Sequence, residues 1–290
     1  MNENKTIINW YPGHMAKANR QMEEQLKLVD IVIELRDARM PLASGNPLLN
    51  SLAKDKKHLI ILNKADKADK EENKKWLNYF ERALLIDSLN EKNTNRIINE
   101  VKDILKEKLE KAKARGIRKK VLRAMVVGIP NVGKSTFINN IVNRKIAKAE
   151  NRPGVTKNLQ WIRINEDVEL LDTPGVLWPK IDDQRQALIL ALLGSINDEI
   201  LDKEALANFG INYIKDNYPM LLNKRYDIDE NKSDLIKEIG LSKKCLTNDG
   251  NIDLDKTYKM ILKDIRGASI GNITFEKYES NQWIWEYKLA

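Results

Sequence analysis

Residues 128–136 read Gly-Ile-Pro-Asn-Val-Gly-Lys-Ser-Thr and satisfy the spacing G-x-x-x-x-G-K-[ST]. The pattern carries a structural requirement: a strand must deliver the chain to it and a helix must leave it. Val121 to Val127 is apolar and β-branched enough to be a buried strand, and Phe137, Ile138, Ile141 and Val142 recur at helical spacing. Gly128 and Gly133 permit the tight turn that aims backbone N–H groups at phosphate oxygens. The helix starting near Lys134 turns its positive end to the same anion. In such a loop Lys134 reaches the β- and γ-phosphates and the Ser135 hydroxyl ligates Mg²⁺. The chain is therefore expected to bind a nucleoside triphosphate through Asn131, Val132, Gly133, Lys134, Ser135 and Thr136.

His58 to Leu62 reads as another strand and runs directly into Asn63-Lys64-Ala65-Asp66, which fits N-K-x-D. A carboxylate at Asp66 accepts from the N1–H and 2-amino groups of guanine. Asn63 can bond the acceptor edge of the base and Lys64 can lie along the ring. Adenine offers neither donor and would leave the carboxylate unpaired, so discrimination of about 10⁴ or more is available to such a site. Ala83 to Ile86 leads into Asp87-Ser88, where a backbone N–H can meet the guanine carbonyl. After the strand Val168 to Leu171, Asp172-Thr173-Pro174-Gly175 fits the D-x-x-G switch, with Asp172 on Mg²⁺ through water and the Gly175 amide at the γ-phosphate. Arg152-Pro153-Gly154-Val155-Thr156 supplies a switch threonine, Thr156, as a further Mg²⁺ ligand and catalytic group. The base motif precedes the phosphate loop, the reverse of the order in an ordinary small GTPase. The expectation is a circularly permuted P-loop GTPase of α/β class, with a doubly wound sheet, over residues 1–180. A smaller all-α domain is expected over 181–290.

The opening Trp10-Tyr11-Pro12-Gly13-His14-Met15-Ala16-Lys17-Ala18 resembles the start of the ribosome biogenesis GTPase A family (YlqF type). Asp37-Ala38-Arg39-Met40-Pro41-Leu42-Ala43-Ser44 and the permuted motifs fit it too, over about residues 9 to 180. The resemblance implies hydrolysis of GTP to GDP by a cytoplasmic factor for late maturation of the large (50S) ribosomal subunit. It implies GTP-dependent binding to the subunit precursor and its rRNA, with hydrolysis triggering release. Val176 and Leu177 stand where Ras-type enzymes carry their water-orienting glutamine. The family reading gives that role to His14; binding rRNA or capping a turn are the other readings. The resemblance to permuted GTPases with an asparagine at this loop position also implies that Asn131 helps hold K⁺ beside the phosphates, a fixed charge where the transition state gathers negative charge. The alternative is a hydrogen bond within the loop.

The remaining sequence sets bounds. A chain of 290 residues with net charge +8 suits a polyanionic partner or is simply a soluble basic protein. One cysteine, Cys245, and two histidines, His14 and His58, exclude a disulfide framework and a cysteine-rich zinc site. Met1 to Lys5 opens into a polar stretch, so no signal peptide is expected, and no apolar run nears the roughly 18 residues of a membrane span. Neither a membrane nor DNA is expected as partner, and a monomer is. Residues 15 to 28 show a helical period, 29 to 35 a strand, and Arg36, Asp37 and Arg39 are either site residues or an ion pair fixing a loop. A single long helix is expected over 95–114. The basic run Lys111, Lys113, Arg115, Arg118, Lys119, Lys120 and Arg123 then contacts RNA or is a solvated face. Further helices are expected at 186–193, 203–209, 212–218, 232–239 and 253–265. Lys256, Lys259, Lys263 and Arg266 form an RNA-facing side or a plain surface, and Trp283 and Trp285 read as packing anchors.

Overall fold

The computed structural model describes residues 13–90, 94–142 and 159–278, the side chains of His14 and Asn50 excepted. The apolar runs become β1 Ile31–Asp37, β2 Lys57–Asn63, β3 Ala83–Ile86, β4 Leu122–Gly128 and β6 Val168–Asp172. They form one parallel sheet in the order β3-β2-β1-β4-β6, closed at one edge by the antiparallel β5 Gln160–Arg163. Nearly every residue of β1 and β4 is buried, on both faces, which is why these strands are continuous rather than alternating in hydrophobicity. β5 was not expected: it has only four residues, and Ile162 alone among them is buried.

Around the sheet lie α1 Gly13–Leu26, α2 Pro47–Leu52, α3 Lys70–Tyr79, α4 Thr94–Ile104, α5 Lys106–Ala114 and α6 Lys134–Val142. The single helix expected over 95–114 is two. Leu105, at φ −100° and ψ 13°, leaves helical geometry between α4 and α5, while its side chain stays in the core with Ile97, Ile98 and Val101.

Among the described residues after 183 the regular elements are helical: α7 Gln184–Leu192, α8 Lys203–Asn217, α9 Leu221–Tyr226, α10 Leu235–Ser242 and α11 Leu254–Gly267. Asp183, Asp202, Asp234 and Asp253 each stand just before a helix and accept a backbone N–H of its first turn. The two helices expected at 203–209 and 212–218 are one, α8, because Gly210 serves packing instead of breaking. A Cβ there would lie 2.7 Å from Ile265 Cδ1, so its absence lets α11 seat against α8. Among the described residues no helix is long and apolar enough to cross a membrane.

Residues 270–278 then run back to the sheet domain as an extended strap. The Ile273 N–H donates to Lys67 O at 3.2 Å and the Phe275 N–H to Arg39 O at 2.7 Å. The Tyr278 N–H donates to Glu72 Oε2 at 2.7 Å, and Trp76 Nε1 donates to Glu276 O at 2.8 Å. The strap thus ties the loops after β1 and β2 to the second domain. Trp283 and Trp285 lie outside the described residues.

Candidate nucleotide-binding site

In a parallel sheet the ligand crevice opens at the carboxyl ends of the strands, where the strand order reverses. Here β1, β2 and β3 progress one way and β4 and β6 the other, so the reversal falls between β1 and β4. A cleft of about 1080 Å³ opens there. Its first wall carries Asn63, Lys64, Asp66, Asp87 and Ser88 after β2 and β3, and Asn131, Gly133, Lys134, Ser135, Thr136 and Gly175 after β4 and β6. The base motif and the phosphate loop, far apart in sequence, thus face one cavity.

Their adjacency is held by specific bonds. Asn63 Nδ2 donates to Val132 O at 2.8 Å, and Asn63 Oδ1 accepts from the Ser88 N–H at 3.2 Å and Ser88 Oγ at 2.7 Å. Both ends of the Asn63 carboxamide therefore join the two base loops to the phosphate loop. Lys64 Nζ donates to Asn131 O at 2.5 Å and pairs with Asp37 Oδ2 at 2.9 Å. Gly133, at φ +91°, is required twice over: a Cβ there would also meet Asn63 Nδ2 at 2.5 Å. Ala65 begins a short 3₁₀ turn, Ala65–Lys67, that carries Asp66 to the cleft. Burial, aided by the nearby Asp87, raises the Asp66 pKa. The Asp87 carboxylate closes its own turn, accepting from the Leu89 N–H at 2.9 Å and Asn90 Nδ2 at 2.7 Å.

At the phosphate end, Lys134 is 6% exposed and its Nζ lies 3.1 Å from Asp172 Oδ1 while also donating to Thr173 O. Burial lowers its pKa and the Asp172 charge opposes that shift. Ser135 and Asp172 offer a hydroxyl and a carboxylate, hard oxygen donors of the kind Mg²⁺ takes with few protein ligands. Val176 and Leu177 are buried, so neither presents a polar group to the cleft. Asn131, at φ +64°, donates from Nδ2 to Leu193 O at 3.1 Å, outside its own loop. Its Oδ1 is the atom a cation would need. Thr156 lies outside the described residues, and of His14 only the backbone, in α1, is described.

Arg36, Asp37 and Arg39 resolve into ion pairs. Arg36 binds Glu34, and the buried Asp37 carboxylate binds both Arg39 and Lys64. Burial alone would raise the Asp37 pKa, but the two cations hold it well below the usual carboxylate range.

The opposite wall of the cleft was not expected. Leu193, Gly194, Asn197, Lys259, Lys263 and Arg266 of the helical domain line it, so three of the four residues read as an RNA-facing side or a plain surface border this cleft. The helical period in Lys256, Lys259, Lys263 and Arg266 showed that they share a side of α11 but carried no information about what that side meets.

Strand, glycine loop and helix, a D-x-x-G turn on the neighbouring strand and a guanine-type motif across the same cleft define a P-loop GTPase with permuted motif order. A family model described as "50S ribosome-binding GTPase" matches residues 123–238, starting at β4 and leaving the base motif upstream. The chain is 46% identical over 280 residues to ribosome biogenesis GTPase A of Bacillus pumilus, covering 94% of this chain and 99% of that protein. It is 29% identical over 276 residues to that of Thermotoga maritima, covering 94% and 95%. The crystal structure of GNP-bound YlqF from T. maritima superposes with a TM-score of 0.63 at 26% identity, over 91% of this chain and 99% of that one. The GDP-bound structure of T. maritima YlqF gives 0.64 at 25% identity, over 90% and 100%. The chain belongs to the ribosome biogenesis GTPase A family, and it is a GTP hydrolase.

Proposed function

We propose that this GTPase is an assembly factor for late maturation of the large (50S) ribosomal subunit, acting in the cytoplasm as a monomer. In this reading the GTP form binds the subunit precursor through its rRNA, and hydrolysis to GDP and phosphate triggers release. The support is the shared cleft: both domains line it, so a change at the γ-phosphate acts on the domain that would hold the partner.

The chemistry is positioning and charge stabilisation. A water attacks the γ-phosphorus and the bond to the GDP oxygen breaks. Lys134 and the N–H groups of residues 131–136 hold the phosphates, Gly175 meets the γ-phosphate, and Asp66 with the Asp87-Ser88 turn reads guanine. Lys64 lies along the base while Asn63 acts mainly as the strut between loops. Ser135, Asp172 and Thr156 would hold Mg²⁺ and Asn131 would hold K⁺; such ions supply positive charge where the transferring phosphoryl group gathers negative charge. With apolar Val176 and Leu177 after the switch, His14 is proposed to orient the water once the partner is bound. The intrinsic rate is then slow and the partner sets the timing.

GTP hydrolysis in K⁺ buffer, with and without purified large ribosomal subunits, tests the proposal. Strong stimulation by the subunit is expected. Unchanged turnover by protein that binds GTP would overturn the partner while leaving the GTPase in place.

A further inference from the structure

The two walls of the cleft are joined by a closed circuit of polar contacts. Asn131 O accepts from Lys64 Nζ, and Lys64 Nζ pairs with Asp37 Oδ2 at 2.9 Å. Asp37 Oδ1 accepts from Arg39 Nε at 2.9 Å and Oδ2 from Arg39 Nη2 at 2.8 Å. The third nitrogen of the same guanidinium, Nη1, crosses to the helical domain and donates to Arg266 O at 3.1 Å, at the carboxyl end of α11. The Arg266 side chain continues the path: Nε donates to Leu192 O at 2.9 Å and Nη2 to Ala191 O at 3.0 Å, at the carboxyl end of α7. The next carbonyl, Leu193 O, accepts from Asn131 Nδ2 at 3.1 Å, which closes the circuit.

The chemistry suits each link. A helix end leaves carbonyls without intrahelical partners and carries partial negative charge. Two arginines therefore meet two helix ends, each in the position where a cation is favoured. A guanidinium can grip a carboxylate with two nitrogens and still donate from the third, which an ammonium cannot do with the same geometry. Arg39 is 2% exposed and Asp37 fully buried, so this path is little screened by solvent.

We propose that Asp37, Arg39 and Arg266 are positioning residues that set the nucleotide affinity of this site by fixing Lys64 and Asn131, and that they couple nucleotide binding to the seating of the helical domain. The inference rests on the nucleotide reading of the cleft. The Arg39 side chain binds Asp37 on one wall and the Ile265 and Arg266 carbonyls on the other, so its hydrogen-bonded path to the base motif runs through the Asp37–Lys64 pair. Seating and affinity are reciprocal: whatever orders the circuit from one wall favours order on the other.

A double-mutant cycle on the full chain tests this with a fluorescent GDP analogue. Arg39→Met is expected to weaken GDP binding about tenfold, the loss of roughly 1.4 kcal/mol of positioning. In a Lys64→Met background the same change should have a much smaller effect, because only the arm through Arg266 and Asn131 is left. GDP should slow amide exchange at residues 265–268 in the wild type and fail to do so in Arg39→Met. Trp76→Phe, which removes an equally buried tie to the strap at Glu276 O, should leave GDP affinity unaltered. If Arg39→Met does not fold, Arg39→Lys, which keeps the charge but not the three-way grip, carries the same cycle with a smaller effect. Additive losses would mean that Arg39 touches the nucleotide itself, and a lowered melting temperature with unchanged affinity would mean a purely structural pair; either overturns the proposal. Wild-type protein that binds no GDP would sink the nucleotide reading instead.

Discussion

Replacing Glu276 by Gln separates the two charge states of a carboxyl group that the strap carries into the sheet domain. Glu276 is 1% exposed. Its Oε2 accepts from the Leu42 N–H at 2.8 Å and its Oε1 from the Ala43 N–H at 2.9 Å. Burial pushes its pKa from the ordinary 4.5 up to about 7, outweighing the opposite pull of those two amides and of Arg36 and Arg185. The folded state therefore keeps a proton that the unfolded chain releases, and stability falls as pH rises through that window. At about 1.36 kcal/mol for each pH unit, the group costs about 3 kcal/mol once ionised. None of that cost is present below about pH 4.5, and all of it is present above about pH 7. The assay is urea unfolding of wild type and Glu276→Gln between pH 4.5 and 8. Glutamine keeps an acceptor for the amides and does not titrate, and the other groups cancel in the difference. The stability of Glu276→Gln relative to wild type should rise by about 3 kcal/mol from the acid to the alkaline end. A flat difference, or one that falls as pH rises, would show that the amides and arginines hold the carboxylate ionised, and the reasoning would be refuted.

Trp76→Phe should cost about 1–3 kcal/mol in the same assay, because Glu276 O is left buried without its donor; an unchanged midpoint would contradict this. Phe137→Ala, in the helix after the phosphate loop and 1% exposed, should cost about 3–5 kcal/mol of stability. Asp66→Asn turns an acceptor into a donor, so GDP affinity should fall about a hundredfold or more and a xanthine nucleotide, with an oxygen in place of the 2-amino group, should gain. Retained guanine preference would move base reading elsewhere in the cleft. Hydrolysis rates that are equal in K⁺ and Na⁺ would remove the ion assigned to Asn131, and normal subunit-stimulated turnover by His14→Ala would remove the role assigned to that histidine.

The phosphate loop was legible because its chemistry needs a short contiguous run of residues that links a strand to a helix, and local order carries all of that. The base motif was legible for the same reason. The function of Arg39 was not, since the carbonyl it reaches lies 227 residues away and nothing in a single sequence records that distance. The strap escaped notice because a segment that docks by backbone N–H groups, as Ile273 and Phe275 do, needs no periodic pattern of side chains. Asn63 shows a further limit. Its motif announces contact with the base, yet the folded chain spends both ends of its amide on holding Val132 and Ser88. A motif names a place in the site more securely than it names which atom does which task.

The permuted order has a structural consequence that also explains the basic run. Leaving β3 at one edge, the chain must cross β2 and β1 to enter β4, a lateral distance of about 14 Å at the usual strand spacing. It must also return from the carboxyl to the amino ends of the strands, since β4 is parallel to its neighbour β1. Residues between Ile86 and Leu122 do this with α4, α5 and the basic stretch that follows. Part of that charge is already used at the amino edge of the sheet: Lys108 pairs with Asp30, Lys119 with Glu166 and Arg123 with Glu169. Lys102, one element earlier, adds Asp167 at 2.6 Å. These pairs sit at the opposite end of the strands from the cleft. Exposed pairs of this kind contribute little stability, so the connector is fixed by Ile97, Val101 and Leu105 in the core and not by its charges. The crossing is thus demanded by the strand order, the apolar side of α4 anchors it, and the cations that remain on α5 and the following turn are free of any duty to the nucleotide.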